Sequence, residues 1–167
     1  MDAQQDMTAY EDERLDIGSD EENTLADRYL TFWLGTELYA MAIEDIIEIV
    51  GVQRITPVPD TPYYVKGVVN LRGQVIPVID ARLRMHMSAR DYDEETCTVV
   101  VSQDDVSVGI IVDTVDEVFT ITEEQISSPP KISNTPRDDY MEGISRLKEK
   151  TVMILNTHKL LYQDENE

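Results

Sequence analysis

The chain has 167 residues, with 14 Lys and Arg against 34 Asp and Glu, a formal net charge of −20. That length holds one ordinary domain or two small ones. A surface this acidic repels phosphate backbones and anionic lipid, and no apolar run approaches the ~18 residues that cross a bilayer, so nucleic-acid, membrane-surface and membrane-spanning roles are poor expectations.

Residues 1–27 hold ten acids and one base, Arg14, and their apolar residues follow no period. Such a stretch buries too little surface to offset its ordering entropy, so it reads as a disordered acidic tail with no basic and apolar regions of a signal peptide. Residues 28–162 read as β structure. Arg28–Leu34 is aromatic and β-branched, Gly35-Thr36 turns the chain, and Glu37–Ile43 is the hairpin partner. Glu44–Ile47 suits one helical turn, and Glu48–Val52 is again strand-like. Pro57, Pro59 and Pro62 mark an irregular connection. Lys66–Leu71 and Gln74–Ile79 flank Arg72-Gly73 as a second hairpin, and Pro77, which has no N–H to donate, places its strand at a sheet edge. Residues 85–95 are polar linker. Cys97–Ser102, Val106–Val112 and Glu117–Ile121 form three further strands, Thr151–Asn156 a last one, and Thr157–Tyr162 a short closing helix. Gln163–Glu167 is a frayed end.

The chain repeats itself. Tyr39–Val50 lies over Val108–Phe119 without a gap at an offset of 69, and Gly67–Asp80 lies over Gly143–Asn156 at an offset of 76. Seven extra residues therefore fall in the second connection. Two similar units of about 65 residues predict two small intertwined β-barrel halves, roughly residues 28–90 and 91–162. Each alone has a modest core, so the two should share an apolar contact, lined in part by 43–50 and 112–119.

Nothing in the sequence assembles a catalytic or metal centre. His86 and His158 lie in different units without metal-ligand spacing, and neither G-x-S-x-G nor a phosphate-binding glycine loop is present. Cys97 is the sole cysteine, which forbids an intrachain disulfide and suits a reducing, cytoplasmic setting, with the thiol read as a small buried hydrophobe. No cofactor is expected, and an enzyme or small-ligand binder on a duplicated barrel is the lesser reading. Arg72, at a hairpin apex, offers planar donors to an acidic or carbonyl-rich partner, and about half of Ile46, Ile47, Ile49 and Val50 should be core, the rest free for a partner.

The segment Lys66-Gly-Val-Val-Asn-Leu-Arg-Gly-Gln-Val-Ile-Pro-Val-Ile-Asp80 resembles the signature of the CheW-type chemotaxis coupling family, as do 39–50, 108–117 and Thr151–Leu161. The resemblance covers roughly 28–162. It implies an all-β fold of two SH3-like barrels packed around a shared hydrophobic interface, with short helices and no catalysis. It further implies an adaptor between the cytoplasmic tip of methyl-accepting chemoreceptors and the regulatory domain of the CheA histidine kinase, recruited from the cytoplasm to membrane receptor arrays. Arg72, with Lys66, Gly67 and Asn70, falls on the receptor-coupling signature. Ile46, Glu48 and Ile49 fall on the first kinase contact. Ile132 stands where the family often has an aromatic at the second kinase contact, and Ser127 where a basic residue is frequent. A coupler for another chemosensory output, such as pilus motility, is the alternative.

Overall fold

The computed structural model describes residues 26–129 and 136–162. Ten strands follow one another: β1 Arg28–Leu34, β2 Glu37–Ala42, β3 Ile46–Gly51, β4 Val65–Leu71, β5 Gln74–Asp80, β6 Cys97–Gln103, β7 Val106–Val112, β8 Thr114–Thr120, β9 Met141–Leu147 and β10 Lys150–Leu155. Two short helices, α1 Ala81–Arg84 and α2 Thr157–Tyr162, follow β5 and β10, and single 3-10 turns occupy Ile43–Asp45, Glu123–Gln125 and Pro136–Tyr140.

The strands form two five-stranded sheets, one in the order β8-β1-β2-β10-β9 and the other β3-β6-β7-β5-β4. Replacing each strand of the first half by its repeat equivalent, β1 by β6 through to β5 by β10, and the reverse, converts one order into the other. The registers agree residue by residue. Phe32 faces Tyr39 as Val101 faces Val108, Gly67 faces Val78 as Gly143 faces Ile154, and the parallel pairs Ile154–Ala40 and Val78–Gly109 correspond. The duplication seen in the sequence is therefore the architecture of the molecule.

The sheets do not divide at residue 90. One is built from β3–β7, residues 46–112, and the other combines β1 and β2 with β8, β9 and β10. Each repeat gives two strands to one sheet and three to the other. The buried side chains follow suit. Leu38, Ile121, Val152 and Ile154 form a core within the first barrel, and Val69, Ile76, Val78 and Ile111 one within the second. The largest cluster lies between them and mixes Leu30, Phe32, Tyr39 and Met41 of one sheet with Ile49, Val99, Val101 and Ile110 of the other. Ile43, Ile46, Val112, Val115 and Val118 pack there too, as expected of 43–50 and 112–119.

The chain passes between sheets at Ile43–Asp45 and again at Asp113, a repeat-equivalent place. Asp113 is nearly buried, and its carboxylate accepts from the Gly35 N–H at 2.7 Å, from Arg82 Nε and Nη2 at 2.8 and 2.7 Å, and from Arg90 Nη1 at 2.8 Å. Gly35 belongs to the β1–β2 turn and Arg82 to α1, so one carboxylate ties both barrels at the crossing. Burial opposes its ionisation, but the bonds from Arg82, Gly35 and Arg90 outweigh that and hold its pKa below the ordinary carboxylate value.

Several sequence expectations change. Pro77 lies in an interior strand, since β5 runs between β7 and β4. Its missing N–H is tolerated because pairing with β7 begins only at Val78, and counting from the tight turn puts Pro77 and Val68 at a non-bonded position of the β4–β5 ladder. The helical turn covers 43–45, so Ile46 and Ile47 are strand residues. β9 and α1 were not expected from local pattern, and β8 begins three residues early. The 85–95 linker is fastened down, with the Tyr92 hydroxyl donating to Asp80 at 2.6 Å and Arg90 reaching Asp113. The tail expected over 1–27 lies outside the described residues up to 25, whereas the Asp27 carbonyl accepts the Ile121 N–H at 2.8 Å and extends the β1–β8 pairing.

Gly67 has φ +143°, and a Cβ there would collide with the Thr56 carbonyl and Pro57, whose segment bridges onto β4 through Thr56 and Val68. Gly67→Ala is therefore expected to lose at least about 2 kcal/mol in urea denaturation, while Gly51→Ala, which meets open space, changes stability by less than about 0.5 kcal/mol. Asp113→Asn is expected to cost about 2–3 kcal/mol at pH 7. A depressed carboxylate stabilises above its unfolded pKa of about 4 and loses that contribution as pH falls through the folded value, so denaturation of both forms at pH 7 and pH 3 should show the gap closing in acid.

Candidate functional site

The β4–β5 hairpin turns on two residues with positive φ, Arg72 at 53° and Gly73 at 83°, the mirror-image turn that matches strand twist. The Asn70 side-chain oxygen accepts the Gly73 N–H at 2.9 Å and fixes the turn. From this apex the Arg72 guanidinium reaches Glu48 on β3, Nη1 to Oε2 at 2.5 Å and Nη2 to Oε1 at 2.7 Å. β3 and β4 are the two outer strands of their sheet, so this two-pronged ion pair spans the seam where the barrel closes. The bond to Glu48, then its charge, raises the already high Arg72 pKa, so the group is cationic at any working pH. The Arg72 side chain is 61% exposed and that of Glu48 21%, which makes the pair a surface feature worth little to folding and available to a partner.

The repeat reproduces it. Lys148, the equivalent of Arg72 at the β9–β10 turn, lies 3.8 Å from Glu117 on β8, the equivalent of Glu48. Lys148 also has positive φ, 48°, and its ammonium stands 5.3 Å from the centre of the Phe119 ring. A lysine there supplies a single point charge where Arg72 supplies a fork. Sequence reasoning missed both pairs, although the offsets of 69 and 76 that define the repeat map Glu48 and Arg72 onto Glu117 and Lys148.

The remaining candidates divide. Lys66 and Asn70 are both exposed on β4, Asn70 next to the Arg72 turn and Lys66 at the other end of the strand, where its ammonium stands 5.9 Å from the centre of the Tyr92 ring. Gly67 is buried beneath Thr56 and serves the backbone. Ile46 is half-buried and packs on the shared core. Ile49 is only 4% exposed, so its side chain belongs to the core and does not offer a contact surface; strand alternation turns it inward. Ile47, which the 46–50 stripe leaves open between core and partner, is 51% exposed on the same strand. Ile132 lies outside the described residues, and Ser127 pairs with Ile144 in a bridge equivalent to Thr56–Val68.

The groups weighed for chemistry stand apart. His86 is exposed and lies 2.9 Å from the Tyr63 hydroxyl, His158 is exposed 3.8 Å from Asp104, and Cys97 is half-buried with its thiol pKa pushed up by burial. An open cleft of about 390 Å³ is lined by Trp33, Leu38, Met153 and Lys150. Among the described residues no group of three His, Cys, Asp or Glu side chains could hold a metal ion, and no helix is long and apolar enough to cross a membrane.

Paired barrels that present charged hairpin edges define a β scaffold of the two SH3-like subdomain kind. The model of the CheW-like domain matches residues 28–165, and the chain belongs to that family. It is 36% identical over 142 residues to chemotaxis protein CheW of Klebsiella aerogenes, covering 85% of this chain and 86% of that one, and 34% identical over 140 residues to that of Treponema pallidum, covering 81% and 82%. The crystal structure of a scaffolding protein of the family from Thermoanaerobacter tengcongensis superposes with a TM-score of 0.76 at 32% identity, covering 85% of this chain and 96% of that one. Membership makes the protein a chemotaxis scaffold and not an enzyme.

Glu48→Gln is expected to loosen the Arg72 guanidinium, seen as faster exchange of its Nη protons and faster rotation about its Cζ–Nη bonds, while the melting temperature moves by less than about 5 °C.

Proposed function

We propose that the chain couples the cytoplasmic tips of methyl-accepting chemoreceptors to the regulatory domain of a CheA histidine kinase, as a cytoplasmic protein recruited to receptor arrays. The coupling unit is residues 28–162. Arg72, with Lys66 and Asn70, faces the receptor. β3, through Glu48, Ile47 and the exposed part of Ile46, faces the kinase, and Ile132 belongs to a second kinase contact. The observation that carries this reading is the Arg72–Glu48 pair itself, because it joins the receptor group to the kinase group by two hydrogen bonds across one barrel seam. A partner that draws Arg72 away leaves Glu48 without its cation, so occupancy of one surface is felt at the other.

A second reading keeps the adaptor role but changes the pathway. The chain is 24% identical over 135 residues to protein FrzA of Myxococcus xanthus, a relative that carries a different name from the CheW proteins, and the alternative is a paralogous coupler for another chemosensory output such as pilus motility. Deletion of the gene, scored for swimming and for twitching, separates the two.

Arg72→Ala is expected to weaken binding of a receptor-tip fragment roughly ten- to a hundredfold, measured by titration, while leaving the thermal melt nearly unchanged. Arg72→Lys restores only part of the affinity, because the fork is lost. Ile47→Asp is the clean test of the kinase surface, since Ile46→Asp also disturbs the shared core: it should weaken capture of the kinase regulatory domain and spare folding. Unchanged binding in both variants overturns the assignment.

A further inference from the structure

The offset of 76 continues past the strands. Tyr64 corresponds to Tyr140, and the bond from the Asp80 N–H to the Tyr64 carbonyl, 2.9 Å, is matched by that from the Asn156 N–H to the Tyr140 carbonyl, 2.8 Å. α1 follows Asp80 as α2 follows Asn156, and each is capped by that side chain, Asp80 accepting from the Leu83 N–H and Asn156 from the Lys159 N–H. At the next turn the correspondence breaks, with Arg84 in one repeat and Leu160 in the other. Arg84 is fully buried. Its guanidinium carbon lies 4.2 Å from the centre of the Tyr64 ring and 4.8 Å from that of Tyr140, and its Nε donates to the Leu160 carbonyl at 2.6 Å. One cation is thus held between two equivalent tyrosines and bonded to its own counterpart.

We infer that Arg84 is a latch, a positioning residue that holds α2 on the shared core, and that α2 opens as a unit when the latch is removed while both sheets stay closed. A helix of six residues does not persist unaided in water, so α2 exists by virtue of its anchors. Those anchors include the fully buried Leu160, the buried Thr157, Leu161 packed on the inter-barrel cluster, and the bond from Arg84, the one polar tie among them to another element; the outer contacts, His158 near Asp104 and the Tyr162 hydroxyl near the Gln103 carbonyl, are exposed and long. A guanidinium suits the position because it stacks on aromatic faces while still donating in their plane. A leucine there fills the same space and leaves the Leu160 carbonyl without that donor. When α2 departs, Tyr64, Met85 and Tyr140, which pack with Leu160 in the inter-barrel cluster, are uncovered.

The test uses the full chain. Arg84→Leu installs the residue that the other repeat carries, and hydrogen exchange read by mass spectrometry follows 157–162 against β6 and β7. Expected is an acceleration of about tenfold or more confined to α2, with an unchanged thermal melt, and an intermediate rate for Arg84→Lys, which keeps the charge and loses the planar donor. Unaltered exchange of α2 in Arg84→Leu overturns the inference, since packing alone would then hold the helix. Equal acceleration of α2, β6 and β7 also overturns it, by showing that Arg84 serves global stability. An Arg84→Lys rate equal to that of Arg84→Leu removes the cation from the account.

Discussion

Neither barrel can be completed by the strands of one repeat. Each sheet borrows across the duplication, and the crossings at 43–45 and 113 are where the loan is made. Everything else depends on those two passages. They force the inner faces of the sheets together, which is why the largest buried cluster lies between the barrels. They also explain the company around Asp113. A buried carboxylate is costly unless several donors meet it, and here a backbone N–H from one barrel and two arginines from the segment between β5 and β6 of the other converge on it.

The same exchange arranges the outer surfaces. Because the chain changes sheet between β2 and β3 and again between β7 and β8, β3 and β8 each become an outer strand, facing the β4–β5 and the β9–β10 hairpin respectively across a seam. Glu48 meets Arg72 at one seam and Glu117 meets Lys148 at the other. The two seams share geometry and differ in chemistry, one a tight two-pronged pair and the other a long contact with a lysine that leans on a phenylalanine. A duplicated scaffold has in this way become two unlike edges on one chain.

Much of this was legible in the sequence because a repeat transmits register as well as pattern. Aligning Gly67–Asp80 with Gly143–Asn156 implied β9 even where local composition did not, and the equivalence of 43–50 with 112–119 placed both in the shared contact. What the alignment could not convey is which sheet each strand joins, since exchanging the β1–β2 hairpin with β6–β7 leaves every residue match unchanged; hence the boundary expected near 90. The edge expected for Pro77 came from its missing N–H alone, which does not tell that pairing with β7 begins only at Val78. Ile49 shows a finer limit. It sits on the strand that the family resemblance marks as a contact, yet its side chain is buried while Ile47, two residues away, is exposed, because the register shift between Ile46 and Glu48 breaks the alternation that would otherwise put both on one face. Arg84 shows another: the match of Tyr64 with Tyr140 was there to be read, but no sequence pattern announces that a long cation is turned inward between them.

The interlacing also orders the birth of the molecule. Ribosomal synthesis delivers β1 and β2 first, yet their sheet needs β8 and then β9 and β10, residues 114–155. The other sheet is contiguous, and all of its strands exist once residue 112 has emerged. The nascent chain therefore holds a closable barrel beside a β1–β2 hairpin whose apolar side chains, Leu30, Phe32 and Tyr39, still lack the partners that β8 and the later strands bring to the cluster. That hairpin is the exposed surface that chaperones would meet during translation, and a message truncated after the middle of the chain yields one barrel with a sticky arm instead of a working half.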